Sequence, residues 1–421
     1  MRSITKSQEA LLSESMEINL KNIVFSICLV LLPVLTKAQH FNPFDIRDSA
    51  GIYMSSGLNA TANTIPGSFG REAFLGNFLD AEIKTQALNQ LNSSSNIASY
   101  QDYLSFRFSH PLQDSSWVLS VEFKNRQFTE SKFSKTAFEL AFFGNQSSIG
   151  EMMDFDFHYR TMMMQSIKLG LHYKSHKHIA GFSLGAVSGS YLFEAGIKNA
   201  SLYTDTDYSI VQLSGEPFIN WSDSSEKKDP WTGRGIIGDL YYGYENRAYQ
   251  FFIILEDFGY ITYPNNELNS RNDSIWEFNG TSQNIFSQEE ILFSVNRDSL
   301  KEWTGLNASG KASFMLPSQL RFGWRQGIPG QQFDIALYGR YYFFSHAYPE
   351  LDIIPGWRFH PTWKTSINLS HGGFGGFRAG MHIEADFNNG FGIKAGSRNL
   401  FGMWMNNLPA AAGFYISLYK L

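Results

Sequence analysis

From Phe377 to Phe387 the chain alternates without a break, with Phe377, Ala379, Met381, Ile383, Ala385 and Phe387 on one parity and Arg378, Gly380, His382, Glu384 and Asp386 on the other. Successive side chains of a β-strand point to opposite faces, so the stretch has one apolar face and one mostly charged face. Strands of soluble sheets are commonly about five or six residues long. A tilted strand needs about 9 to 11 residues to cross a bilayer, and the eleven alternating residues here meet that need. An apolar face turned to lipid and a charged face turned to a lumen is the pattern of a transmembrane β-barrel.

The pattern recurs along the chain. Trp117, Leu119, Val121 and Phe123 alternate with Ser120, Glu122 and Lys124, and Phe333, Ile335, Leu337, Gly339, Tyr341 and Phe343 alternate with Asp334, Ala336, Tyr338, Arg340 and Tyr342. Further spans are expected at 104–108, 180–186, 236–244, 320–324, 351–359, 363–369, 391–395 and 410–420. Between 153 and 173 the even positions carry Asp154, Asp156, His158, Arg160, Lys168 and His172, over a length that predicts a strand projecting beyond the membrane. Alternation is blurred over 249–262, which is assigned as a strand because its neighbours are strands. Composition agrees: 16% of residues are aromatic, and no run after residue 38 is apolar for the roughly 18 residues that mark a membrane helix.

Barrels of this kind have short periplasmic turns and longer extracellular loops. Short turns are expected at 111–115, 174–178, 245–248, 327–330, 360–361 and 388–390, so the long excursions 127–152, 188–235 and 263–317 fall outside the cell. Thirteen strands counted from Leu104, with one more at 51–58, make an even fourteen. The fold expected is therefore an all-β transmembrane antiparallel barrel occupying 99–421. It follows an N-terminal segment, 39–98, that supplies a first strand and a helical plug or cap. Helical spacing of Phe74, Leu75, Phe78, Leu79, Ile83 and Leu88 carries the last point. Two more helices are expected in the loops, at 133–143 before Gly144, and at 287–303 behind the capping-box spacing of Ser287 and Glu290.

Residues 1–38 have the form of a cleavable secretory leader, with an apolar run from Ile23 to Leu35 and the small residues Thr36 and Ala38 at its end. Met16 is an alternative start. The single cysteine, Cys28, lies inside this leader. An exported chain without a disulfide framework or thiolate metal site fits an envelope barrel of the bacterial outer membrane. The formal charge of −5 argues against a nucleic-acid partner.

Several phrases, in order, carry a family resemblance. They are Ser56-Gly57-Leu58-Asn59-Ala60, the block 69–91, the helix 134–145 with its Phe-Gly-Asn ending, Leu255-Glu256-Asp257-Phe258-Gly259, and Leu316-Pro317-Ser318-Gln319-Leu320-Arg321. In these the chain resembles a Bacteroidota outer-membrane family of unknown function, DUF5723-like, related to the long-chain fatty acid transporter (FadL) type and its PorV-like branch. The resemblance implies a monomeric barrel of 14 strands and no site residues. The chain departs from such barrels in ending at Leu421 rather than Phe, although Gly413, Ile416 and Leu418 keep the spacing of a barrel-assembly signal.

Candidate chemistry is sparse. His382, Glu384 and Asp386 share one strand face, about 7 Å apart. They could serve a hydrolase, but a lumen lined with both signs of charge explains them better, together with Arg340, Arg378 and Lys394. His172, His176 and His178 are assigned to a solvated periplasmic turn, and Met162, Met163 and Met164 to packing, since neighbours on a strand face opposite ways. Asp257-Phe258-Gly259 matches a kinase tripeptide without the motifs that accompany it. Ser49, Ser274 and Ser299 follow aspartates, as in an O-glycosylation signal of Bacteroidota. No catalytic, cofactor or metal site is expected. The functions carried forward are passage of small hydrophobic molecules, a docking platform for secretion or surface attachment and, less favoured, a hydrolase. The expected partners are outer-membrane lipid, the barrel-assembly machinery, and a hydrophobic ligand or secretion-system proteins.

Overall fold

The computed structural model describes residues 51–112, 116–207, 210–222, 232–246, 248–266, 268–271, 274–278, 310–327, 332–387, 390–402, 405 and 408–420. The strands in chain order are β1 (Gly51–Pro66), β2 (Asn96–Pro111), β3 (Trp117–Phe133), β4 (Met152–Lys174), β5 (His178–Thr204), β6 (Val211–Ser222), β7 (Gly233–Glu245), β8 (Tyr249–Asn266) and β9 (Leu268–Arg271). There follow β10 (Ser274–Phe278), β11 (Gly310–Met315), β12 (Gln319–Gly327), β13 (Phe333–Tyr342), β14 (Glu350–Trp357), β15 (Trp363–Gly372), β16 (Arg378–Asp386), β17 (Phe391–Ser397) and β18 (Pro409–Lys420). Three α-helices accompany them, α1 (Gly67–Leu75), α2 (Ala81–Gln90) and α3 (Lys135–Phe143).

Fourteen strands form a closed antiparallel ring in the order β1, β2, β3, β4, β5, β7, β8, β12, β13, β14, β15, β16, β17, β18. The ring closes where β18 and β2 pair with the two edges of β1, from Ile52↔Lys420 to Ala60↔Ala412 on one side and from Gly51↔Ser109 to Ala62↔Ala98 on the other. Closure removes every free edge, which a bilayer requires because lipid cannot satisfy backbone N–H and C=O groups. The first strand, expected at 51–58 within the N-terminal segment, is part of the wall and runs on to Pro66. Short polar residues on β1 (Ser55, Ser56, Asn59, Thr61) blur the alternation that marks the other strands.

The outward face is an apolar belt, in which Phe106, Leu119, Ile167, Leu184, Ile236 and Ile367 are all exposed. At the short-turn end it is bounded by touching aromatic pairs, Trp117 with Tyr173 at 5.0 Å, Phe333 with Trp357 at 6.2 Å and Phe387 with Phe391 at 5.9 Å between ring centroids. Such a girdle marks a membrane interface, where an amphipathic ring sits between apolar and wet surroundings. The protein is a membrane-spanning β-barrel. Among the described residues no helix is long and apolar enough to cross a membrane.

The long excursions contain more strand than their sequence suggests. β3 runs on to Phe133 and β5 to Thr204; β6 adds to the upper half of β5, and β9 and β10 add to β6. Above the belt the outward positions of β3 become polar (Asn125, Gln127, Thr129, Ser131), so the hydropathy contrast vanishes while the hydrogen-bond ladder to β4 continues. β11 pairs with the upper part of β8, above the pairing of β8 with β12.

At the outer rim, α1 and α2 link β1 to β2. Phe69, Ala87 and Leu91 from this link pack with Phe133 of β3 and Phe138 of α3. α3 is capped where its sequence suggests, with the Ser134 hydroxyl accepting from Ala137 N at 3.1 Å and Gly144 ending it. The expected helix at 287–303 lies outside the described residues, as do the leader, Ser49 and Ser299. Ser274 opens β10 in the outer excursion.

Candidate functional site

The inward faces fill the lumen in layers. β3 runs upward, and its inward residues are Val118, Ser120, Glu122, Lys124, Arg126, Phe128 and Glu130. The antiparallel register places Lys168 of β4 opposite Glu122, Met162 opposite Phe128, and Arg160 opposite Glu130. A charged middle is therefore followed upward by an apolar layer.

The charged layer is tightly paired. Lys168, only 1% exposed, lies 2.7 Å from Asp239, 3.1 Å from Asp257 and 3.2 Å from Glu122. Lys124 reaches Asp257 at 2.6 Å and Glu256 at 3.0 Å, Arg321 reaches Glu256 at 2.9 Å, and Arg107 pairs with Glu122. Across the lumen Glu350 binds Arg378 and Arg398, each at 3.1 Å, and Arg398 also pairs with Asp352. Asp334 joins Arg325 at 2.6 Å and Lys364 at 2.7 Å. Buried charges persist only where opposite charges and hydrogen bonds replace water, and these clusters meet that condition. The central cavity that remains, about 230 Å³, is lined by Tyr103, Arg126, Arg321, Arg340, His382 and Lys394 among others.

Arg340, Arg378, His382, Glu384, Asp386 and Lys394 lie on inward-facing strand positions. Glu384 and Lys394 sit directly opposite on β16 and β17 and bond at 3.1 Å. His382 bonds the Tyr415 hydroxyl, and Asp386 accepts from Tyr419 and lies 3.6 Å from Arg358. Each of the three is tied to a different partner, so they form no relay of base and orienting carboxylate. Arg378 turns to Glu350 rather than to the β16 carboxylates, and Arg340 donates to Tyr342 at 3.2 Å. The inward tyrosines lie over glycines of the next strand. A Cβ at Gly392 would stand 2.1 Å from the Tyr419 ring, which accounts for glycine and tyrosine being frequent together.

The histidines near the 174–178 turn separate. His178 is exposed and bonds the Tyr242 hydroxyl at 2.9 Å, but His172 is buried inside the barrel, 2.7 Å from Ser120 Oγ and against the Tyr241 ring. His172 is therefore no part of a solvated turn: the parity of β4 carries it inward. Met162 and Met164 are buried in the lumen and Met163 faces out, on opposite faces as strand geometry requires, with a register shift beside them.

The apolar layer closes the lumen from above. Ile97, Phe128, Met162, Leu316 and Tyr342 meet there, and Phe374, from the turn between β15 and β16, rests on Phe128 and Tyr342 at 6.0 and 5.6 Å. The 343–349 loop crosses the mouth to the nearly opposite wall. Arg160 donates to Phe344 O, Ser345 Oγ donates to Glu130 at 2.6 Å, and His346 Nε2 lies 2.7 Å from His158 Nδ1.

One side of the wall is interrupted. On β8, Asp257 has φ 56° and Gly259 φ 153°, and the register with β7 shifts between Gly238 and Leu240. On the other edge of β8 the ladder to β12 starts at Glu256↔Gln319 and that to β11 ends at Tyr260↔Met315. Residues 257–259 thus face Leu316-Pro317-Ser318 with only Leu316 N donating to Gly259 O and Ser318 Oγ donating to Asp257 O. Outside this break is an apolar pocket of about 440 Å³ bordered by Leu184, Ile236, Phe258 and Met315; inside it is a small cavity beside Asp257, and Ile237 lines both. Asp257-Phe258-Gly259, a chance match to a kinase tripeptide in the sequence, forms this bulge, and the blurred alternation over 249–262 was its only sequence signal.

The profile of DUF5723, a family of unknown function, matches residues 49–391. No curated protein matches the sequence. Among solved structures the chain is similar to the Pseudomonas putida toluene transporter TodX (9% identity, 89% of this chain and 91% of that one, TM-score 0.44). It is also similar to the Ralstonia pickettii toluene transporter TbuX (8%, 89% and 90%, 0.42) and a Pseudomonas aeruginosa FadL homologue (8%, 88% and 89%, 0.42).

Proposed function

The chain belongs to DUF5723, a family of unknown function, and we propose that it is a gated outer-membrane passage through which small apolar molecules move by way of the β8 wall break. The observation that carries this reading is the pair of cavities on either side of residues 257–259. A closed wall needs every ladder bond, and this one omits several at membrane depth, where an unmade bond is costly. The outer pocket offers apolar side chains to a solute dissolved in lipid, while the polar, capped lumen disfavours passage of the same solute straight down the axis.

The test compares cells displaying the protein in their outer membrane with cells lacking it, for uptake of an uncharged aromatic solute. Faster uptake is expected with the protein. Gly259→Val should remove the difference, because its Cβ would stand 2.1 Å from Ile236 O and force the bulge to reshape. Equal uptake with and without the protein would sink the reading.

A further inference from the structure

Above the charged lumen, one group of side chains has the composition and spacing of a metal centre. We propose that Glu130, His158 and His346 form a site for a divalent transition-metal ion of the zinc class, which fastens the 343–349 loop across the barrel mouth. It rests on the mouth geometry alone and not on what the lumen passes.

The three residues come from three elements, β3, β4 and the loop between β13 and β14. Their nearest donor atoms all lie within 4.8 Å of one another. A tetrahedral zinc site has metal bonds of about 2.0–2.2 Å to nitrogen and oxygen, which places donors roughly 3.3 Å apart. His158 Nδ1 and His346 Nε2, now 2.7 Å apart, need to separate by a few tenths of an ångström, which small rotations of two half-buried rings supply. Two imidazoles and one carboxylate make a donor set suited to zinc, copper or nickel and ill suited to calcium or magnesium.

The surroundings are arranged as around a ligand. His158 Nε2 lies 3.0 Å from Glu194 Oε1, and Asn220 donates to the second oxygen of Glu194 at 2.9 Å. A carboxylate on the far nitrogen fixes the tautomer in which Nδ1 is bare and turns its lone pair toward the site, as behind metal-ligating histidines. Glu130 receives Arg160 on Oε1, while Oε2 accepts from Ser345 Oγ and from His346 N at 3.1 Å. Arg160 pairs with Glu130, and Lys132, opposite His158 in the β3–β4 ladder, is a second cation near the carboxylates Glu130 and Glu194.

The experiment adds Co2+, then Zn2+, to the purified full-length barrel in detergent, following the visible ligand-field bands of Co2+ and the stoichiometry of Zn2+ binding. The site predicts one equivalent bound, with Co2+ bands of a four- or five-coordinate ion that Zn2+ abolishes. His158→Ala and His346→Ala should each lose the bands. Glu194→Gln, which keeps the ligands, should weaken binding about 10- to 100-fold. Retained heat-modifiable migration on gels shows that each variant is still a barrel. Absence of a stoichiometric ion, or the same binding in His158→Ala and His346→Ala, overturns the proposal.

Discussion

Replacing Lys168 by Met asks how dry and how tightly held the lumen is. Its ammonium has three carboxylates within 3.2 Å and is 1% exposed. Each contact at about 3 Å is worth roughly 5 kcal/mol in gross attraction at an effective dielectric near 20. Most of that gain offsets the desolvation of the four ions. Lys168→Met takes the ammonium from Asp239, which keeps Ser183 Oγ at 2.6 Å and Asp257 N at 2.8 Å, while Glu122 and Asp257 keep Arg107, Lys124 and Arg126. Truncating one partner of a buried ion pair costs about 3–5 kcal/mol. Urea unfolding of the barrel in detergent, followed by tryptophan fluorescence, should show a loss of that size. Lys168→Met combined with Asp239→Asn should recover part of it, because the stranded carboxylate is gone. A Lys168→Met barrel within 1 kcal/mol of the parent would mean that water screens the network, and the description of a packed lumen would be wrong.

Phe128, fully buried between Met162, Tyr342 and Phe374, supports the apolar layer, so Phe128→Ala should cost about 3–5 kcal/mol and raise single-channel conductance in planar bilayers. Leu184 faces lipid at 56% exposure, so Leu184→Arg should lower barrel stability by roughly 2–4 kcal/mol in lipid, while a serine there stays close to the parent. His346 docks with its imidazole held down to about 4, against an unfolded value near 6.5. Below 6.5 the undocked loop takes up the proton first, so docking should weaken as pH falls from about 6.5 to 4 and be steady above. Proteolysis of the 343–349 loop across that range reads it, and a flat profile refutes the assignment.

Strand number and parity were legible in the chain because lipid imposes a contrast on every crossing strand. Outward residues must be apolar over a fixed length and inward ones need not be, so 377–387 announces both its face and its span. Parity also assigned His382, Glu384 and Lys394 to the lumen without coordinates. The signal fails where its physical cause does. Above the membrane the outward face of β3 turns polar, so its extension reads as loop, and β1 reads weakly because short polar residues interrupt its alternation. Which charge meets which could not be read, because partners such as Lys168 and Asp239 are 71 residues apart and meet only through the register of β4, β5 and β7. The break at Asp257 and Gly259 depends on ladder bonds to two different strands. The meeting of Glu130, His158 and His346 depends on a loop crossing to the far wall. An alternating sequence determines that a closed, membrane-spanning sheet will form and which way each side chain points. Only closure of the ring decides which inward groups come within bonding distance, because that distance is set between strands remote in the chain.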